Sequence, residues 1–529
     1  MPRRLLGLVL TAFALQAAPA AAAGVPYQLV TPDRVTLRGW IHLPPGEGPF
    51  PTVLEYTPYQ DNNGSDHSGG PGGLRYLVDA GFAVARVSVR GTGRSGGCLR
   101  FGDRVDVDDT RRVIEDLARQ SWSTGRIGMT GHSYPGWTSD MGAAAAPEPL
   151  KAVVPTSGVI DLWSLLTRRG APLAAGTGIL FAPAWTAQTS TVNQGAPEHL
   201  RCPNLVPDWV GNAETATTGD RTAWFRDRDL RDALTGTRVP MLRSNGLVEV
   251  GEGHILQVEG LWERLRADRT RFVLGQWGHS PPTSAYNGGT WREMVVAWFD
   301  HYLRGGPKRV QTGVVDYQDT GGGWHQADRW PPRSEEATVH LSGRSVVPEG
   351  APVAPATQTF QSADVDPGLH PSAGTPHYAV TACGPHQALY VSRPVEQDVL
   401  LAGNFEADVK LSSTLPGGNF AVTLWKTSGP GTCPDAAASV VGRAHMDLRH
   451  WAVSGLSHEF PVATPTAFSL RSAPFAGRLR KGERLVVAVG GGAVELTPDP
   501  LHPVLTLDAG SLHLPVVDGA LRFAEAGQR

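Results

Sequence analysis

A serine between two glycines is the first feature of this sequence that could carry chemistry. Ser133 stands in GMTGHSYPGW, directly after an apolar run that predicts a β-strand. A serine at the apex of a sharp strand-to-helix turn presents its hydroxyl as a nucleophile, usually within G-x-S-x-G. Here Pro135 takes the place of the second glycine, and Gly136 comes one residue later. The motif alone supports a nucleophile and an ordinary turn serine equally.

Pro135 is compatible with a nucleophile. Backbone N–H groups in the first turn of a helix lack intrahelical partners, so a proline there costs little. The N–H of the residue after the serine must be present, because it can stabilise an oxyanion, and Tyr134 supplies it.

A serine nucleophile needs a base and an acid that orients the base. His279 follows the apolar run VLGQWG, and Glu249 follows MLRSNGLV, so both lie where strand ends can reach a common site. The chain order Ser133, Glu249, His279 matches the serine, acid, histidine order of one hydrolase class. Glu252 stays open as an alternative acid. We interpret His132 as a packing residue that points away from the serine.

The segments that carry these residues alternate between strands and helices. Before residue 160, the runs FPTVLEYTPY, GFAVARVSVR, RIGMTGHSY and LKAVVPTSGV predict buried strands, and VDVDDTRRVIEDLARQ predicts an amphipathic helix. After residue 236, the strands RVPMLRSNG and TRFVLGQWG enclose a predicted helix, HILQVEGLWERLRA, and MVVAWFDHYLRG predicts a closing helix. This alternation is typical of an α/β sheet with mostly parallel strands.

Two other regions depart from this rhythm. Residues 161–236 combine scattered tryptophans with glycine and proline, which indicates an inserted, mostly helical cap. After residue 312, short alternating segments between turn residues predict an all-β sandwich or jelly roll. The predicted division is a signal peptide at 1–23, a first α/β part at 24–160, the cap at 161–236, a second α/β part at 237–311 and the β-sandwich domain at 312–529.

Composition limits the function classes. The 529 residues carry a net charge of −3 without a basic run in the mature part, which argues against nucleic-acid partners. The N-terminus has a basic start, an apolar stretch and a small-residue cleavage site before Gly24, as in a secretory signal peptide. No later run approaches the roughly 20 apolar residues of a membrane span. We therefore predict a secreted or periplasmic protein.

The cysteines and one glycine-rich loop are the other features of the sequence that could carry chemistry. Four cysteines in an exported chain predict two disulfides, and we favour Cys98–Cys202 and Cys383–Cys433, although spacing does not fix the pairing. No closely spaced Cys/His set predicts zinc. GTGRSG at 91–96 fits G-x-G-x-x-G, but no helix opens at that loop, so we predict no cofactor or metal site.

The motifs resemble those of the Xaa-Pro dipeptidyl-peptidase and cocaine-esterase-like family of serine hydrolases, which also includes the α-amino-acid ester hydrolases. That family's elbow reads G-x-S-Y-x-G, and GHSYPG matches it. Further matches cover nearly all of the mature chain in the family's order: VSVRGTGRSGG, QSWSTGRIGMTGHSY, WFRDRDLRDALTGTRVPML, LGQWGH, WFDHYLRG and GGGWHQADRWPP. The resemblance implies an α/β-hydrolase fold with an inserted helical cap, followed by a jelly-roll domain of the galactose-binding-like type.

The resemblance also implies roles for the residues. Ser133 corresponds to the nucleophile and His279 to the base. Glu249 falls where the family usually has aspartate in Gly-x-x-Asp, and a glutamate can still accept from a histidine N–H. The hydroxyl of Tyr59, in LEYTPYQD, and the N–H of Tyr134 correspond to the oxyanion hole. Without the resemblance, Tyr59 would be interpreted as a packing residue.

A second departure from the family is Ser88, where members often carry aspartate two residues before the arginine of the Arg-Gly loop. We expect this change to be structural.

The expected activity is hydrolysis of an acyl bond in a peptide or small molecule through an acyl-enzyme. We favour an Xaa-Pro dipeptidyl-peptidase type, with an acyl or α-amino-acid esterase as the alternative. An inactive secreted binding protein that uses the β-sandwich is the alternative from another class. A dipeptidyl-peptidase needs a carboxylate that captures a free α-amine, and four acidic residues lie in suitable segments: Asp61, Asp161, Asp208 and Glu214. The oligomeric state stays open.

Overall fold

The computed structural model describes residues 24–59, 72–173, 202, 219–249, 253–280, 282, 290–362, 386–429, 439–491 and 501–525. Within these residues there are two large sheets, of ten and twelve strands, and one small hairpin. The strands of the first sheet are β1 Val25–Val30, β2 Thr36–His42, β3 Phe50–Thr57, β4 Ala83–Ser88, β5 Ser123–His132, β6 Leu150–Thr156, β9 Met241–Gly246, β10 Thr270–Gly275, β11 Val314–Gln318 and β12 Trp324–Ala327. The hairpin consists of β7 Thr167–Arg168 and β8 Ala171–Pro172.

The helices accompany the first sheet. They are α1 Arg75–Asp79, α2 Arg104–Arg119, α3 Tyr134–Ala145, α4 Leu162–Leu166, α5 Ala223–Arg226, α6 Arg231–Leu234 and α7 Trp291–Phe299, and a π-helical turn, Asp300–Arg304, extends α7. Short 3₁₀ turns lie at Gly72–Leu74, Ile255–Val258, Ala267–Arg269 and Leu448–His450. No described helix is long and apolar enough to cross a membrane.

The first sheet has the strand order β1-β2-β4-β3-β5-β6-β9-β10-β11-β12. From β4 through β11 the neighbours are parallel, whereas β1, β2 and β12 run antiparallel to their neighbours. Leu54 of β3 packs with α2 and α3, and Val53 packs with α1 and α7 on the other face. Burial on both faces explains why these strands read as continuous apolar runs.

The predicted amphipathic helix is confirmed as α2. Its N-cap residue Asp103 accepts hydrogen bonds from the N–H groups of Val105 and Asp106, which satisfies donors that the helix itself leaves unpaired. The helix predicted at HILQVEGLWERLRA is wrong. The 3₁₀ turn Ile255–Val258 forms there instead: the backbone becomes extended at Glu259, with a ψ of 119°, and Gly260 then adopts a φ of +67° that a helix does not allow.

The second sheet forms the C-terminal β-rich domain. It contains β13 Glu335–Ser342, β14 Ser345–Pro348, β15 Gln358–Gln361, β16 Gln387–Ser392, β17 Val399–Gly403, β18 Glu406–Ser413, β19 Asn419–Thr427, β20 Ser439–Asp447, β21 Thr466–Arg471, β22 Phe475–Leu479, β23 Arg484–Gly490 and β24 Val504–Asp518. The fold class is confirmed: an α/β-hydrolase sheet is followed by a domain of strands. Two strands of the first sheet, β11 and β12, follow residue 312, where the composition changes.

The β7–β8 hairpin, which follows α4, forms hydrogen bonds with the second sheet. Arg168 donates to the carbonyls of Arg471 and Ser472 at 2.8 and 2.7 Å, and Arg169 donates to the carbonyl of Ser469 at 2.7 Å. These charge-assisted bonds link the segment after α4 to strand β21 and the residue that follows it.

The predicted disulfide Cys98–Cys202 is confirmed. It ties the loop after β4 to the region between β8 and α5. Cys383 and Cys433, the other predicted pair, lie outside the described residues.

Candidate active site

Ser133 sits at a strained turn between β5 and α3. Its φ of +67° and ψ of −125° are rare for a residue with a side chain, and such strain collects at functional sites. The turn is held by the Ser133 N–H, which donates to the Thr156 carbonyl at 3.0 Å, and by the Trp137 N–H, which donates to the Ser133 carbonyl at 2.9 Å. The geometry is that of a strand–nucleophile–helix elbow.

Steric contacts of the glycines around Ser133 explain why the second glycine of the motif comes one residue later than in G-x-S-x-G. A Cβ on Gly131 would lie 2.2 Å from the Pro135 Cβ, and a Cβ on Gly136 would lie 2.5 Å from the Thr156 carbonyl oxygen. The first turn of α3 therefore packs against the end of β6 through Gly136, while Pro135 occupies a helix start that tolerates it.

Tyr59 reaches the same turn from the end of β3. Its hydroxyl lies 3.4 Å from the Ser133 Oγ, and the residue is 45 % exposed, as expected for a group that faces substrate rather than the core. Tyr134 is the first residue of α3, so its N–H has no partner inside the helix. The structure thus brings together both predicted oxyanion donors beside Ser133.

Glu249 and His279 form a hydrogen-bonded pair through Oε1 and Nδ1. The Glu249 side chain is almost fully buried at 1 % exposure, whereas His279 keeps 21 %. A second contact reaches the other carboxylate oxygen from the Ser157 hydroxyl at 3.5 Å. A buried carboxylate on Nδ1 fixes the imidazole tautomer and leaves Nε2 to act as a base. Glu252, the alternative acid, lies outside the described residues.

Close packing of two loops creates this pair. A Cβ on Gly246 would lie 2.0 Å from the Trp277 carbonyl oxygen, so only glycine allows the approach. The N–H groups of Leu247 and Val248 donate to the Gly275 and Trp277 carbonyls at 2.7 and 3.4 Å. Hydrogen bonding therefore continues past the ends of β9 and β10, and this brings Glu249 next to His279.

Two further histidines flank His279, and sequence reasoning missed both roles. The rings of His132 and His254 lie 4.4 and 4.3 Å from the His279 ring, centroid to centroid. His132, which we interpreted as a packing residue that points away from the serine, packs its ring against His279. The contact also places the His279 ring beside the elbow, because His132 directly precedes Ser133.

A buried ion pair underlies the site. Arg243 on β9 donates to both oxygens of Asp140 on α3 at 2.8 and 2.9 Å, and neither side chain is exposed. Arg243 also donates to the Gly158 carbonyl at 2.9 Å and to Asn245 Oδ1 at 3.0 Å. Burial raises the pKa of Asp140 to about 6, although Arg243 opposes the shift. The pair joins α3, the helix that follows Ser133, to the strand that leads to Glu249.

Replacing Arg243 with methionine should therefore destabilise the protein strongly. An unpaired buried Asp140 is expected to lower the free energy of unfolding by about 3–5 kcal/mol. The measurement is thermal and urea unfolding, with Arg264→Met as the control, because the exposed Arg264–Asp232 pair is worth little. Equal losses in both variants would contradict a structural role for the buried pair.

Within the described residues, one group of side chains has the spacing of metal ligands. Ligand atoms of Glu249, His254 and His279 lie within 4.8 Å of one another, a spacing at which a metal could be held. The Nδ1 of His279 is already hydrogen-bonded to Glu249, so we interpret the group as an acid–base pair with a neighbouring ring.

The glycine-rich loop has a structural role. Arg90, just before it, donates to Asp109 and Asp33 at 2.8 and 2.6 Å, and α2 begins only at Arg104. The loop therefore does not end in a helix N-terminus, which a dinucleotide phosphate would need.

Ser88 accepts a hydrogen bond on its carbonyl from the Ser95 hydroxyl at 2.7 Å, and both residues are buried.

Of the candidate amine anchors, Asp161 is the one within the described residues. It is 1 % exposed, and its carboxylate faces Arg231 at 3.2 Å and Arg221 at 3.6 Å. Two guanidinium groups already neutralise it, so the structure assigns it to a buried ion-pair cluster. Asp61, Asp208 and Glu214 lie outside the described residues.

Family comparison agrees with this geometry. Residues 33–281 match the model of the X-Pro dipeptidyl-peptidase S15 family, and residues 308–518 match the X-Pro dipeptidyl-peptidase C-terminal non-catalytic domain. The chain belongs to the Xaa-Pro dipeptidyl-peptidase and cocaine-esterase-like family. It is a serine hydrolase of the dipeptidyl-peptidase or carboxylic ester type. This membership favours an enzyme over an inactive binding protein.

The individual relatives include both kinds of hydrolase. A Streptomyces avermitilis protein, provisionally named Xaa-Pro dipeptidyl-peptidase, is 25% identical over 85% of this chain and 73% of its own length. The cocaine esterase of Rhodococcus sp. (strain MB1 Bresler) is 24% identical over 59% of this chain and 61% of the esterase. A solved α-amino acid ester hydrolase has a TM-score of 0.74 at 19% identity and covers 95% of this chain and 98% of that one, which shows the shared fold.

Proposed function

We propose that the protein hydrolyses acyl bonds with Ser133 as nucleophile, His279 as base and Glu249 as the acid that orients the base. The observation that carries the proposal is the buried Glu249–His279 pair, whose histidine ring lies beside the residue that precedes Ser133. The hydroxyl of Tyr59, 3.4 Å from the Ser133 Oγ, supports a site for developing negative charge at the same place.

The mechanism follows from these positions. His279 Nε2 takes the Ser133 proton as Oγ attacks the carbonyl carbon, and the Glu249 carboxylate stabilises the resulting imidazolium through Nδ1–H. The Tyr134 N–H and the Tyr59 hydroxyl donate to the oxyanion. His279 then gives its proton to the leaving group, and the same residue activates the water that hydrolyses the acyl-enzyme.

For the substrate, we propose Xaa-Pro dipeptides at the N-terminus of a peptide. Both family matches and the relative that aligns with 85% of the chain support this choice. Ester hydrolysis is the second candidate, because Asp161 is already neutralised and does not offer an amine anchor. The test is a panel of Gly-Pro and Ala-Pro anilides, short acyl esters and amino-acid esters. A kcat/KM that is highest for the esters and negligible for both anilides would contradict the peptidase assignment.

Tyr59→Phe should separate oxyanion stabilisation from substrate binding. Loss of one preorganised donor is expected to lower kcat by about 10²–10³-fold with little change in KM, because the donor acts on charge that develops in the transition state. Steady-state kinetics on the best panel substrate measure both constants. Tyr390→Phe, which removes a hydroxyl bonded to the Ala356 carbonyl in the β domain, serves as the control. An unchanged kcat in Tyr59→Phe would contradict the donor role.

We further propose that the protein is exported and processed before Gly24. The disulfide Cys98–Cys202 supports an extracytoplasmic location, because disulfides persist in oxidising compartments. N-terminal sequencing of the protein recovered outside the cytoplasm tests the cleavage site, and an intact residue 1 in that fraction would contradict it.

A further inference from the structure

The His279 ring contacts two other imidazoles. The His132 ring meets it at 4.4 Å with planes inclined by 42°, and the His254 ring meets it at 4.3 Å with planes inclined by 34°. His132 comes from the end of β5, and His254 comes from the turn that follows Glu249. The ring of the proposed base is thus contacted by two separate segments of the chain.

The rings of His132 and His254 are both neutral near pH 7. Burial lowers the pKa of His132 and of His254 to about 3 in each case, and the neighbouring His279 adds to both shifts. Glu249 opposes the shift at His254, whereas Arg243 reinforces it. A proton taken up by His279 therefore meets no second positive charge on either adjacent ring.

His254 also contacts the acid. Its Nδ1 lies 3.4 Å from Glu249 Oε1, the same oxygen that pairs with His279. An ionised carboxylate attracts the positive end of an N–H dipole, so a His254 tautomer with its proton on Nδ1 favours the carboxylate electrostatically at this distance. Glutamate has one more side-chain torsion than the aspartate that the family usually has at this position. A polar contact of this kind restricts that freedom.

The backbone of His254 is itself fixed. Its carbonyl accepts from Asn245 Nδ2 at 3.0 Å and from the Gln257 N–H at 3.1 Å. A Cβ on the preceding Gly253 would lie 1.9 Å from the Ser164 carbonyl oxygen, so this turn packs tightly against the segment after β6. Asn245 also bonds Arg243, which connects His254 to the buried ion pair.

We propose that His254 is a positioning residue for the Glu249–His279 pair: its Nδ1, 3.4 Å from Glu249 Oε1, stabilises the carboxylate electrostatically, and its ring contact restricts the orientation of the His279 ring. The proposal rests on the proposed function, because the pair it positions is the proposed base and acid. His254 would thereby allow glutamate to replace the shorter acid of the family.

Two variants of His254 and a matched control test the role through kinetics. His254→Phe keeps a ring face but loses the N–H, and kcat should fall about ten- to a hundred-fold at constant KM, because small misplacements of a base are costly. The acid limb of the kcat/KM pH profile should move to higher pH, because a less compensated Glu249 binds the His279 proton more tightly. His254→Asn, whose amide N–H lies near the Nδ1 position, should bring the limb back toward wild type.

The matched control is His42→Phe, which removes a buried histidine of lowered pKa, about 4, on strand β2. It should leave the profile unchanged. If His254→Phe does not fold, His254→Gln replaces it, since its amide extends toward the Nε2 position instead. An unshifted acid limb in a folded His254→Phe or His254→Gln protein overturns the proposal.

A second measurement separates this proposal from the proposed function. In a Ser133→Ala background, the His279 Nδ1 proton bound to Glu249 should give a far-downfield ¹H NMR resonance without any turnover. His254→Phe should shift or broaden that resonance, and His42→Phe should not. A resonance that His254→Phe leaves unchanged overturns the positioning role, whereas turnover by Ser133→Ala would overturn the proposed function alone.

Discussion

Replacing Ser133 with alanine is expected to lower kcat/KM by about 10⁴–10⁶-fold while the protein stays folded. The proposed reaction needs the Oγ both as the attacking atom and as the atom that holds the acyl group. Alanine removes only this atom, and the backbone bonds of Ser133 to Thr156 and Trp137 do not involve the hydroxyl. The unfolding temperature should therefore stay close to that of the wild type.

The measurements are steady-state kinetics on the substrate panel and intact mass after treatment with a fluorophosphonate. Wild-type protein should gain one label at Ser133, and Ser133→Ala should gain none. Ser139→Ala is the matched control, because Ser139 lies on the same helix and donates to the Pro135 carbonyl at 2.8 Å. It should keep its turnover and its label.

Two outcomes would contradict the assignment. Wild-type turnover by Ser133→Ala would exclude Ser133 as the nucleophile. A wild-type protein that is neither labelled nor active on any panel substrate would instead favour the binding-protein alternative, in which the β-sandwich carries the function.

The elements around the site could be predicted because their signals are local. The apolar runs of β3, β5, β9 and β10 and the amphipathic pattern of α2 appear in short stretches of sequence, and the structure confirms them. The elbow is also local: Gly131, Pro135 and Gly136 meet steric requirements within a few residues of Ser133. Chain order then ranked Glu249 and His279 as candidates without any distance between them.

The contacts around the pair could not be predicted because they join distant segments. The rings of His132 and His279 are in contact although 147 residues separate them in sequence, and Asp140 pairs with Arg243 across 103 residues. One signal was available for the ion pair: Arg243 places a charge inside the predicted strand MLRSNG, and a buried charge requires a partner. Nothing in the sequence indicated which carboxylate that partner is.

The predicted helix at HILQVEGLWERLRA and the suggested amine anchor Asp161 failed for the same reason. The apolar spacing of HILQVEGLWERLRA fits a helix, but Gly260 and the tight packing of Gly253 decide the backbone instead. Asp161 was a reasonable anchor by position, but arginines more than fifty residues away neutralise it. In both cases tertiary contacts overrode a local pattern.

The second large effect concerns the acid. Glu249→Gln should lower kcat by about 10³–10⁴-fold, because a neutral amide neither fixes the His279 tautomer nor stabilises its imidazolium. The near-identical shape of glutamine keeps the buried packing, so unfolding temperatures should differ little from the wild type. The variant is measured on the same substrates as Ser133→Ala, with a fluorophosphonate labelling rate as a readout of nucleophile activation.

Two companion variants identify the acid by length and by position. Glu249→Asp keeps the charge but withdraws it from His279 by one methylene, so an intermediate loss of about ten- to a hundred-fold is expected. Glu252→Gln removes the alternative acid and should leave kcat near the wild-type value. If Glu252→Gln instead shows the greater loss, the acid is Glu252, and the buried contact of Glu249 with His279 and His254 serves only to hold the base in place. If the kcat of Glu249→Asp exceeds that of the wild type, the arrangement of His132, His254 and His279 does not depend on the longer side chain of glutamate.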